Sequence, residues 1–202
     1  MLVVGLTGGM ASGKNTVSKM LEELGARIID ADAISRELVE QGKEAWQDII
    51  KEFGAGILSP DGAIDRKKLG SIVFGSEEKR ALLNKILHPK IIEEEHRRIE
   101  QFRNEDPGAL VVVNAALLIE SKNYLNVDCL VIIDSDEEEM INRAMERDKL
   151  SRHEALGRLR AQINSKERLK YADYIIENKG SLEDLLGKAR SLFEQLKVKA
   201  LT

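Results

Sequence analysis

Several things are missing from this 202-residue chain, and each absence excludes something. It has a single cysteine, Cys129, so no internal disulfide can form, which fits a reducing cytosol. It has no apolar run long enough to cross a bilayer: the longest, at 110–119, is interrupted by Asn114 and falls well short of the ~20 residues a spanning helix needs. No charged leader precedes the N-terminal apolar run and no small-residue cleavage site follows it, which argues against a secretory signal. An excess of one charge is missing too. Thirty-one Lys and Arg stand against 35 Asp and Glu, a formal net charge of −4, whereas a domain that coats nucleic acid is ordinarily basic. That balance leaves room for a local basic pocket for a phosphorylated small molecule. There is no internal repeat and no low-complexity stretch. The expectation is a cytoplasmic protein without nucleic-acid or membrane partners.

What is present suffices for a core, with 43% hydrophobic residues in a length typical of one domain. Five short runs at 2–6, 27–30, 110–113, 129–133 and 174–177 are nearly continuous in apolar character, as strands buried on both faces of a parallel sheet are. Helical spacing lies between most of them. In 16–24 it is carried by Val17, Met20, Leu21 and Leu24, and in 137–148 by Met140, Ile141, Ala144 and Met145, a stripe that reads as core packing. In 181–197 an N-cap Ser181 precedes Leu182, Leu185, Leu186, Ala189, Leu192, Phe193 and Leu196. Strands alternating with helices predict an α/β protein with a doubly wound, five-stranded parallel sheet. The stretch 33–106 is too long for one crossover and is expected to form a helical subdomain. The Arg- and Lys-rich stretch 147–170 reads as a lid or a solvated helical pair, and 104–108 as a polar turn before the third strand.

Directly after the first strand come Gly8, Gly9, Met10, Ala11, Ser12, Gly13, Lys14, Asn15 and Thr16, opening a helix. Glycines let the backbone wrap a phosphate chain with N–H groups pointing inward, the helix N-terminus adds its positive end, and Lys14 reaches the β- and γ-phosphates. The spacing is that of a P-loop, with residues 9–16 as the triphosphate site, except that Asn15 replaces the usual Ser or Thr. That hydroxyl ordinarily ligates Mg²⁺. An amide oxygen at Asn15 is the candidate substitute, with altered metal affinity, and Thr16 lies about 100° further round the helix. No guanine-reading Asn/Thr-Lys-x-Asp motif follows a strand, which weighs against a GTPase. The second strand ends in Ile29, Asp30, Ala31 and Asp32, placing carboxylates at the edge where open α/β sheets bind ligands. Asp32 suits the group that accepts a hydroxyl proton in phosphoryl transfer; the plainer alternative is that it caps a helix starting at Ala33.

With these residues in place the chain resembles the dephospho-CoA kinase family of nucleoside-monophosphate-kinase-like P-loop enzymes. The resemblance is carried by Val4 to Lys14, Ile29 to Asp32 with Arg36, Phe53-Gly54, Asp61-Gly62, Asp65-Arg66, Leu69, Val73-Phe74 and His88-Pro89. It continues through Leu117 to Glu120, Arg143 and Arg147, Gln162, Ala172-Asp173 and Asn178 to Gly180, in collinear order. It implies ATP and Mg²⁺ as co-substrate and metal, dephospho-CoA as acceptor, and transfer of the γ-phosphoryl group to the ribose 3′-hydroxyl, the last step of coenzyme A synthesis. It further implies Asp32 as general base and acceptor contact, Lys14 on the phosphates, Arg143 and Arg147 as lid-side cations, and Arg66 and His88 near the acceptor. The corresponding organisation is one domain over 1–202, with a core of 1–40, 105–146 and 172–202, a helical acceptor-binding insertion at 41–104 and a helical lid at 147–171.

Each of these residues also has a bland reading. Two arginines at i,i+4 on a charged helix usually form a solvated face, and His88 before Pro89 marks a helix start, since proline suits the first turn. Asn114 stands where P-loop proteins often have an acid, and Ala116 where the family commonly has proline, so these and Asn15 alter the ligands offered to Mg²⁺. Two rivals follow: a catalytically weakened nucleotide-binding regulator, and a kinase for another small acceptor. The 178–180 loop is the candidate for adenine contacts.

Overall fold

The computed structural model describes residues 1–200, and every side chain among them except that of Phe74; the expected core segment ending at 202 thus has its last two positions outside the described residues. The chain divides into two compact units, one made of residues 1–30 with 98 onward, the other of 31–97; the sequence pattern set a helical subdomain at 33–106 and the family resemblance an insertion at 41–104.

The first unit is built on a sheet of β1 (Leu2–Gly8), β2 (Arg27–Asp30), β3 (Leu110–Asn114), β4 (Cys129–Asp134) and β5 (Tyr174–Glu177), all parallel, in the order β2-β3-β1-β4-β5. β1 is central, in register with β3 from Leu2↔Leu110 to Leu6↔Asn114 and with β4 from Val4↔Cys129 to Gly8↔Ile133. Burial on both faces holds for the three inner strands: every residue of β1 and β3 is buried, as is all of β4 except Asp134. It does not hold for β2 and β5. They are edge strands with one hydrogen-bonded neighbour each, and Ile175 is 51% exposed.

On one face, Leu2, Val4 and Leu6 pack with Val112, Val131 and Ile133 under α1 (Lys14–Glu23) and α9 (Leu182–Ala200). Ser181 caps α9 as expected: its hydroxyl accepts from the Asp184 N–H at 3.1 Å, and the Asp184 carboxylate accepts the Ser181 N–H at 2.9 Å. The buried stripe of α9 is Leu185, Ala189, Leu192, Phe193 and Leu196. Leu182 and Leu186, expected in that stripe, are exposed instead; Leu182 is the first helical residue, and Leu186 is turned about 100° from Leu185 toward solvent. On the other face Gly5 permits close packing, since a Cβ there would stand 2.5 Å from Leu118 and 2.9 Å from Leu130. Two carboxylates pin strand starts: Asp128 accepts from the Val3 N–H and Asp173 from the Leu130 N–H, each at 2.7 Å.

Beyond β4, α6 (Glu137–Asp148) and α7 (Arg152–Arg160) share a cluster of Ile141, Ala144 and Ala155, onto which Met10, Ala11 and Met145 pack. A short α8 (Ser165–Leu169) leads into β5. The methionine stripe of α6 is core packing, as the spacing implied.

The second unit is helical, with α2 (Ala31–Leu38), α3 (Glu44–Phe53), α4 (Arg66–Phe74) and most of α5 (Glu77–Glu105). Its own core is Ile49, Ile57, Leu69 and Val73, joined by Phe53, Leu83, Ile86 and Leu87. Pro89 corrects the sequence expectation: it lies inside the 29-residue α5 and does not start a helix. Proline leaves the carbonyl of Lys85 without its helical donor, a loss that costs less where both residues are exposed, as Lys85 and Pro89 are, and the helix runs on. The polar turn is real, with the Asp106 carboxylate accepting from the Gly108 N–H at 3.0 Å.

Candidate active site

Because β1 ends between β3 and β4, the loop 9–13 emerges at the carboxyl edge of the sheet. The Ser12 N–H donates to the Gly9 carbonyl at 3.1 Å, closing a turn in which Ala11 (φ 56°) and Gly13 (φ 97°) are left-handed. At Gly13 a side chain would also meet Asn178, so glycine is required there twice over. α1 begins at Lys14, and the first-turn amides of Lys14, Asn15 and Thr16 have no acceptor within the helix and stand at its positive end. This is an anion-binding geometry.

The Lys14 side chain is buried. Its Nζ donates to Asn114 Oδ1 at 2.5 Å and to Asn15 Oδ1 at 3.1 Å, while Asn114 Nδ2 donates to Asn15 Oδ1 at 3.4 Å. The two positions that depart from the usual P-loop pattern therefore touch one another, around the lysine. Both amide oxygens are hard donors of the kind Mg²⁺ takes, but neutral ones, and the described residues contain no group of three or more His, Cys, Asp or Glu placed to hold a metal. This set fits a magnesium ion that arrives on phosphate oxygens and keeps much of its water, with Asn15 and Asn114 as its protein neighbours.

Side chains that the sequence pattern did not single out for this task hold the loop. Asn178 is buried at the end of β5, and its Nδ2 donates to the Ser12 carbonyl at 2.8 Å. Expected in an adenine-contacting loop, Asn178 itself is committed to the phosphate loop. Gln162 Oε1 accepts the Met10 N–H at 2.9 Å, and Glu120 accepts the next link, the Ile163 N–H, at 3.0 Å.

Arg143 donates to the Ser135 hydroxyl at 2.9 Å and pairs with Glu139 at 2.5 Å. Arg147 forms a forked pair with Asp148, both bonds 2.8 Å, and this guanidinium holds the Asp148 carboxyl below the usual range. The two arginines share α6, but each is joined to its own carboxylate. Arg168, which no spacing argument selected, is 3% exposed; burial pushes its pKa down. It lines a cavity of about 430 Å³ with Ser135, Arg160, Gln162, Asn164 and Ser165.

The remaining candidates lie in the helical unit. Asp32 is exposed in the first turn of α2, and because that helix starts at Ala31, Asp32 is inside the turn and is not the cap of a helix from Ala33. Arg66 is the exposed first residue of α4, behind the N-cap Asp65, and His88 is half-buried in α5.

Comparison with known proteins agrees with this geometry. The family model described as dephospho-CoA kinase matches residues 2–184. A dephospho-CoA kinase of Carboxydothermus hydrogenoformans is 43% identical over 197 residues, 98% of this chain and 95% of the relative. Among solved structures, the dephospho-CoA kinase from Campylobacter jejuni is similar with a TM-score of 0.72 at 30% identity, covering 98% of both chains. Shikimate kinase from Acinetobacter baumannii shares the fold alone, at 18% identity and a TM-score of 0.57, over 100% of this chain and 96% of that one.

Proposed function

Since the chain belongs to the dephospho-CoA kinase family, we propose that it transfers the γ-phosphoryl group of ATP to the ribose 3′-hydroxyl of dephospho-CoA, giving coenzyme A and ADP. The observation that carries this reading is the phosphate cradle of Gly9–Thr16: left-handed Ala11 and Gly13, three helix-start amides, and the buried ammonium of Lys14.

In this reading the amides and Lys14 hold the β- and γ-phosphates. The helical unit holds the acceptor, with Arg66 and His88 as contacts. Asp32 orients the ribose hydroxyl and takes its proton as the new O–P bond forms and the bond from the γ-phosphorus to the bridging oxygen breaks. Being exposed, Asp32 returns that proton to water. Arg143 and Arg147, the lid-side cations of α6, stabilise charge on the transferring group, and the lid 147–171 excludes water that would hydrolyse ATP. A bound Mg²⁺ supplies charge neutralisation on the phosphates. In this reading the reaction runs in the cytoplasm; the lone Cys129 is buried, and burial pushes its thiol up to about 11, which keeps it unreactive.

The test is ADP release by the purified protein with ATP, Mg²⁺ and a panel of acceptors. Turnover with dephospho-CoA, and not with shikimate, a sugar or a nucleoside monophosphate, is expected. Nucleotide binding without acceptor-dependent ADP release would favour a regulator and end the kinase reading.

A further inference from the structure

Three arginines of the stretch from α6 to α8, Arg143, Arg147 and Arg168, differ in what neutralises them. Arg143 is paired with Glu139 and Arg147 with Asp148. Arg168 is the most deeply buried of the three, yet no carboxylate lies within ion-pair distance of it among the described residues. Of its five N–H donors, Nη2 bonds the Ile163 carbonyl at 2.7 Å. The two carboxylates that attract it from further off are already engaged. Asp134 accepts from Ser165 at 2.7 Å and faces Lys179 at 3.6 Å, and Glu120 accepts from Ile163. A buried cation with no carboxylate in ion-pair reach is costly, and an anion delivered to it would offset that cost.

The position says which anion. Nη1 stands 3.2 Å from where a Cβ on Gly9 would be, next after the Met140 sulfur at 2.8 Å, so the guanidinium lies beside the loop at Gly9. The cavity it lines mixes polar groups, a second arginine (Arg160) and one carboxylate (Glu137) with apolar wall from Met140, Leu159 and Ile163. Gln162 of the same wall already holds the Met10 amide. We propose that Arg168 is a phosphate-binding residue of this site, its guanidinium donating to phosphate oxygens of ATP held in the 9–16 loop. This deepens the kinase reading and rests on its claim that the loop binds ATP. The competing assignment is structural: Arg168 only ties α8 to the Ile163 carbonyl.

Binding measured by calorimetry without any acceptor separates the two. Charge-assisted hydrogen bonds of this kind predict that Arg168→Met raises the Kd for ATP by roughly 10–100-fold, with Arg168→Lys between it and the unaltered chain and with adenosine binding unchanged. Removing an uncompensated buried charge also predicts that the Met variant, without nucleotide, melts no lower than the parent. A second measurement needs no variant: in the unaltered chain the Nε–H resonance of Arg168 shifts when ATP is added and not when adenosine is. A folded Met variant with unaltered ATP affinity, or a resonance unmoved at saturating ATP, overturns the assignment. ATP bound through Arg168 without dephospho-CoA-dependent ADP release would leave it standing while removing the kinase reading.

Discussion

Asp32 sits in the first turn of α2, exposed to water, where a helix start favours a carboxylate. If Asp32 is the proton acceptor of the proposed reaction, Asp32→Asn, which keeps the side chain's shape, should lower kcat by ~10²–10⁴-fold while ATP binding persists. Steady-state kinetics with dephospho-CoA beside calorimetric ATP titration checks this, and a near-parental kcat would place the base elsewhere. Single residues were unequally readable in the sequence. Gly13 and Lys14 are given away by spacing, because a phosphate cradle needs a left-handed position directly before a helix. Arg168 is not, since one more cation in a charged stretch resembles the solvated ones, and only its burial among residues distant in sequence sets it apart. Asn178 is hidden for the same reason: its bond to Ser12 spans 166 positions.

At the scale of elements, caps and periodicity were readable because they are local. The Ser181–Asp184 reciprocal cap is an example, and it has a pH signature. Hydrogen bonds from the Ser181 backbone N–H and hydroxyl hold the Asp184 carboxyl below its ordinary 3.8. A carboxylate depressed on folding contributes stability that is complete above the ordinary value and is lost as pH falls through the lower, folded one. Asp184→Asn should therefore melt below the parent at neutral pH, with the difference shrinking as pH drops beneath about 4. Melting temperatures across an acid series test it, and a constant gap would mean the carboxylate's charge plays no part. Where elements defied the sequence, the cause was non-local. Pro89 reads as a helix start but lies within α5, at an exposed position where a lost helical hydrogen bond costs less. β2 and β5 read as doubly buried but are sheet edges.

At the scale of the molecule each compact unit has a core of its own among the described residues, one between the sheet and its helices and one inside 31–97. Leu6 and Ile49 are each fully buried in one of them. Truncating either to alanine should cost ~2–5 kcal/mol, by lost transfer energy and the cavity left behind. The effects should be local to each unit. Ile49→Ala is expected to lower amide-exchange protection across 31–97 and spare ATP binding, while Leu6→Ala lowers protection in the sheet and weakens the nucleotide site at its edge. Uniform loss of protection in both variants would show the two units unfolding as one.

The amino-acid order alone determined the strands, most of the helices, the phosphate loop and the family, because each is written in patterns within a few residues or in motifs met in sequence. Only the tertiary structure decided which strands are edges, that Asn15 and Asn114 meet at Lys14, and that Arg168 lies buried beside Gly9. Those facts depend on contacts between residues as much as 159 positions apart, 168 less 9, and burial that arises from such contacts leaves no periodic trace in the chain.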